Sequence, residues 1–221
     1  MKSQQSGFTL VEIAIVLVII GLLLGGILKG QELINSAKVK NLANDFRVIP
    51  TYIYAYQDKF RALPGDDPVA NTHIAGPPPA TVATTPAGAQ GNGVINGNWN
   101  SVTNTDESRL FWQHVRLANL AAGPTDPTDA TYTPTNAVGG ALGISSSTAA
   151  QLQISGMSGT YQVCSAGILG KFAKQLDIQM DDGNTATGSL RVVADGAALG
   201  TAAVATNAVD DATNYTVCMT F

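Results

Sequence analysis

GFTLVEIAIVLVIIGLLLGGIL, residues 7–28, carries a single charged side chain, Glu12. From Phe8 to Leu28 it is 21 residues long. At the helical rise this is about 31 Å, enough to cross the hydrocarbon core of a bilayer. An ordinary secretory signal puts its positive charge first, keeps its apolar core shorter, and ends in a small-residue cleavage site. Here the polar leader MKSQQSG, residues 1–7, precedes the apolar run, and no such site ends that run. The next stretch, KGQELINSAKVKNLANDFRVI, residues 29–49, is charged and helical in pattern.

Glu12 is the residue that does not belong in a plain anchor. A carboxylate in an apolar span costs about 2.5–3.5 kcal/mol on insertion scales, so such a group marks a function. No cation lies one turn away within residues 8–28. Its partner is therefore sought in another chain, or in a charge made by processing. Cleavage after Gly7 would make one, a free amine on Phe8 in the same low-dielectric layer.

GFTLVEIAIVLVIIGLLL resembles the signature of type IV pilins and type II secretion pseudopilins. The shared pattern is a short leader ending in glycine, then phenylalanine, a Thr-Leu pair, a glutamate at the fifth position after the cut, and an apolar helix. The resemblance covers about the first 60 residues. It implies that a prepilin peptidase cuts between Gly7 and Phe8 and N-methylates Phe8. It also implies that Glu12 neutralises the Phe8 amine of a neighbouring subunit during assembly on an inner-membrane platform. Lys2 supplies the positive charge that keeps the leader cytoplasmic. Many pilins carry a proline near the position of Gly30, where this chain has none.

Beyond Lys29 the apolar residues Ile34, Ala37, Leu42, Phe46, Ile49, Ile53 and Phe60 recur mostly three or four apart. That spacing predicts an amphipathic continuation of the helix, residues 29–61, with one face for a globular head to cover. Pro50 is expected to kink it. RALPGDDP, residues 61–68, ends it, because a residue before proline avoids the helical region. The head then spans 62–221 and opens with a loop-rich segment, 66–104, that includes GPPPATVATTPAGAQGNGVINGNWN. A second helix is expected over 104–121, capped by Asn104 with Glu107 as reciprocal partner. Strands are expected at 150–154, 160–164, 190–194 and 215–221, with a short helix at 168–176. The fold class is α+β, a long N-terminal helix packed on an antiparallel sheet.

Charge is unevenly placed. The first 61 residues hold seven basic and four acidic groups, the head five basic and twelve acidic. An acidic head argues against nucleic-acid binding through that region. In an exported chain the two cysteines, Cys164 and Cys218, suggest one disulfide.

For a metal, the candidates are Asp66 and Asp67 beside the proline turn, and Asp177, Asp181 and Asp182 in LDIQMDDGNTATG, residues 176–188. No cofactor or metal is expected, since solvated turns explain these groups; were an ion bound it would be calcium, which some pseudopilins hold in the head. There is no H-x-x-x-H, C-x-x-C or G-x-S-x-G, and no catalytic constellation. The expectation is a structural, homo-oligomeric filament subunit, held in the inner membrane with its head in the periplasm before assembly. A type IV pilus serving adhesion, motility or DNA uptake is the first reading. A type II secretion pseudopilus is the second, and a membrane-anchored binding domain using the pilin export route is the third.

Overall fold

A computed structural model describes residues 7 and 9–221. Residues 1–6 and Phe8 lie outside the described residues, and with them most of the expected leader and the expected methylation site. The chain divides into two compact units, Met1–Lys38 and Val39–Phe221. The first helix, α1, is Leu10–Phe60, 51 residues long, with Pro50 inside it. Neither Pro50 nor the glycines at 21, 25, 26 and 30 ends it.

In the first unit α1 is apolar on all sides from Ile13 to Leu28 and buries none of these residues. Leu10 is 90% exposed and Leu22 74%, and Ile34 is exposed as well.

In the second unit α1 is amphipathic. Val39, Leu42, Ala43, Phe46, Ile49, Ile53 and Tyr56 are buried on one face. Their spacing of three and four places them on one stripe. Four strands complete the unit: β1 (Leu142–Ser146), β2 (Tyr161–Leu169), β3 (Leu190–Ala194) and β4 (Asn214–Thr220). They form one antiparallel sheet in the order β1-β2-β4-β3, so the C-terminal strand is central. Ile144, Val163, Val192 and Val217 join Phe46, Ile49 and Ile53 in the main core. Side chains alternate across a strand, so the neighbouring positions Cys164, Val193 and Cys218 serve a second core with Trp99, Ile154 and Met157.

Cys164 and Cys218 are directly paired in the β2–β4 register and form the disulfide, a cross-strand link between the two central strands.

Three shorter helices are α2 (Ala70–His73), α3 (Glu107–Leu117) and α4 (Gly170–Met180). The expected capping box on α3 is not formed. Asp106 stands at the N-cap, and Asn104 instead accepts a hydrogen bond from Arg109 at 2.9 Å. Glu107 is buried, its Oε2 accepting from the Asn96 backbone N–H at 2.7 Å and side-chain amide at 2.9 Å.

The expected strand at 150–154 is a loop, with one bridge from Ile154 to Thr201. The alternation there is real, but its inward residues include glutamines. Gln151 donates to the carbonyls of Ile95 and Gly97, and Gln153 accepts from the Trp99 indole at 2.9 Å. Buried side-chain amides thus take the place of a strand ladder over the outer face of the sheet.

α3 anchors the loops around it. His114 is fully buried, its Nδ1 accepting from Gly65 N–H at 2.9 Å and its Nε2 lying 2.8 Å from the Thr81 carbonyl. Burial pushes its pKa down, so the neutral ring with the proton on Nε2 satisfies both partners. Gln113 accepts from Thr81 N–H and donates to the Thr125 carbonyl. Arg116 donates to the carbonyls of Pro124 and Tyr132, and the Tyr132 ring lies 4.9 Å from the guanidinium groups of both Arg109 and Arg116.

Candidate assembly site

Glu12 stands in the first turn of α1 and Thr9 immediately before the helix. The Thr9 backbone N–H donates to Glu12 Oε2 at 2.9 Å, and the Thr9 hydroxyl donates to the same oxygen at 2.7 Å. In return the Glu12 N–H donates to the Thr9 hydroxyl oxygen at 3.3 Å. This is a capping box, in which a Thr and a Glu three residues on satisfy the open donors of a helix start. In the sequence, T-L-V-E ahead of an apolar run is the pattern that signals the box, and it involves no cation. The box engages one carboxylate oxygen. Both side chains are exposed, and Gly7 is exposed beside them.

The helix behind the box is long and apolar enough to cross a membrane. Leu10, Val11, Ile15, Leu17, Val18 and Leu22 are all exposed. An apolar surface of this extent needs lipid or other helices around it.

The other sequence candidates stand in the head. Asp66 is buried, with Oδ1 accepting from Gly91 N–H at 2.6 Å and Asn92 N–H at 3.3 Å, and Oδ2 from Gly93 N–H at 2.8 Å. Burial raises its pKa, and those three N–H groups pull it back. Asp67 is buried too. Its Oδ2 accepts the Tyr56 hydroxyl at 2.8 Å and lies 2.6 Å from His73 Nδ1, while Oδ1 accepts from Val69 N–H at 3.0 Å. Burial, with the neighbouring Asp67, drives the Tyr56 pKa far up, so the phenol keeps the proton it donates.

Asp177 is fully buried, and neither carboxylate oxygen has a hydrogen bond of ordinary geometry. Burial first, then the charges of Asp182 and Asp181, push its pKa up to about 6. Asp181 accepts from Leu190 N–H at 2.8 Å, and Asp182 from Asn184 N–H at 2.8 Å and the Thr187 hydroxyl at 2.7 Å. Asp66, Asp67, Asp181 and Asp182 thus fasten turns. Among the described residues no group of three or more His, Cys, Asp or Glu side chains is placed to share a metal ion.

The prokaryotic N-terminal methylation motif matches residues 2–28. The chain thus carries the N-terminal signature of type IV pilins and pseudopilins, on a long helix followed by an α+β head with a four-stranded antiparallel sheet. That signature points to a structural subunit, made as a membrane-anchored precursor, and implies processing by a prepilin peptidase and assembly into a filament. No curated protein and no solved structure matches the chain.

Proposed function

We propose that this chain is a subunit of a type IV pilus-like filament, cut between Gly7 and Phe8, methylated on Phe8, and polymerised through residues 8–28. The observation that carries this reading is the methylation motif at 2–28 on a helix whose apolar residues are exposed. Before assembly, lipid covers that surface and the head stands in the periplasm. In the filament, neighbouring copies of the same helix replace the lipid. Glu12 keeps one carboxylate oxygen outside the capping box, and this oxygen receives the Phe8 amine of a neighbour. The exchange trades lipid contact for helix packing, and the charge pair removes the cost of a lone carboxylate in an apolar layer.

The experiment is electron microscopy of surface filaments, with a protein-secretion assay, in strains with and without the gene. Loss of filaments on deletion, restored by the wild-type gene, supports the pilus. Unchanged filaments with lost secretion would replace it with a pseudopilus.

A further inference from the structure

Within the head, Gln57 from the end of α1, Arg61 just after it, His73 from α2 and Tyr161 from the start of β2 line a cavity of about 530 Å³. Asp66 and Asp67 lie at the same cavity. Its volume is in the range that holds small ligands.

The polar groups divide into two sets. The carboxylates of Asp66 and Asp67 are taken up by the chain's own donors, three N–H groups for the first and Tyr56, Val69 and His73 for the second. The His73 ring is further fixed by stacking on Phe60 at 5.4 Å. By contrast, no hydrogen bond or ion pair among the described residues engages the Arg61 guanidinium, the Gln57 side-chain amide or the Tyr161 hydroxyl. Three unengaged polar groups therefore line one cavity, and the guanidinium and the amide nitrogen act only as donors.

Arg61 is also held in the left-handed region, with φ 58°. It directly follows α1, at the position where helices commonly place glycine. A non-glycine residue in this conformation is strained, and such strain collects at ligand sites.

We propose that this cavity binds a neutral sugar unit. Hydroxyl-rich rings supply acceptors for Arg61, Gln57 and Tyr161, and their C–H faces suit the Tyr161 ring and the apolar Leu63, Pro68 and Val69 around it. Two carboxylates beside one free guanidinium leave no positive excess, so a simple anion such as phosphate is disfavoured. The proposal does not depend on filament assembly.

The test is saturation-transfer NMR on the full-length chain, held in a detergent without a sugar headgroup. The probes are glucose, galactose, mannose, N-acetylglucosamine and N-acetylgalactosamine, with inorganic phosphate as the anion arm. At least one sugar should bind saturably. Arg61→Gly, which relieves the strained backbone while removing the donor, should weaken it about tenfold or more without lowering the unfolding temperature. Gln57→Ala should also weaken it, and Glu12→Val should leave it unchanged whatever that variant does to filaments. The proposal is overturned if no sugar receives saturation, if phosphate binds and sugars do not, or if sugar binding survives Arg61→Gly.

Discussion

At the scale of single residues, the tasks proposed for Gly7 and Glu12 are separable. Gly7→Leu puts a bulky group where a small one fits the peptidase, so uncleaved precursor should accumulate on an immunoblot. Normal cleavage of that variant would move the cut site elsewhere. Glu12→Val should be cleaved normally yet give few or no filaments, and wild-type filament yield would remove its assembly role. Buried titratable groups set a different test. The Asp177 pKa stands at about 6 against an ordinary 3.8. A raised carboxylate pKa means that stability is fully present below the ordinary value and is lost as pH rises through the folded one. Asp45, also pushed to about 6 by burial, acts in the same direction. His114 acts oppositely, because its depressed pKa costs stability as pH falls below its ordinary 6.5. Asp177→Asn removes only the first of these. It should raise stability by about 3 kcal/mol at most near pH 7.5, with the gain vanishing near pH 4 in thermal unfolding. An equal gain at both pH values would contradict the account.

At the scale of elements, the disulfide joins the two central strands and closes 54 residues that include all of α4 and β3. In the chain-entropy model a loop of that size is worth about 4 kcal/mol. Replacing both cysteines with alanine should lower head stability by roughly that amount in denaturant titration, and no loss would show that the link constrains nothing. The same elements show how far local pattern reaches. The α1 stripe from Leu42 to Ile53, the strand Leu190–Ala194 and the cysteine pair are legible from period, β-branching and export chemistry. Strand β1, LGISS, is not, because only Leu142 and Ile144 are apolar and the buried positions between and beyond them are glycine and serine. Gly143 lies against the Trp99 carbonyl, where an added Cβ would clash, so it is set by packing that no local pattern announces. The segment after α1 has the prolines and glycines of a surface loop. Yet Ala80, Ala83, Ile95 and Trp99 within it are buried, because α3 supplies polar side chains that fasten its backbone.

At the scale of the whole molecule, the chain combines a head that completes its own core with a helix that does not. The head's main core draws on α1, α3, α4 and every strand. Residues 10–28 are exposed throughout, and an apolar surface of that extent needs lipid or other helices around it. The proposed site at the start of this helix is written in the sequence as a cleavage and charge pattern, with Gly7, Phe8 and Glu12 inside the methylation motif at residues 2–28. The role of Thr9 is hidden behind it, because the intrachain cap uses the same carboxylate that the proposed interchain charge pair would use. The central claim is that Gly7 ends a removable leader and Phe8 begins the working protein. Its most direct test is the intact mass of the chain isolated from membranes and from sheared surface filaments. The account predicts a mass lacking residues 1–7, greater by one methyl group, and smaller by two hydrogens for the disulfide. A full-length mass with Met1 retained, or a cut at any other position, would contradict it.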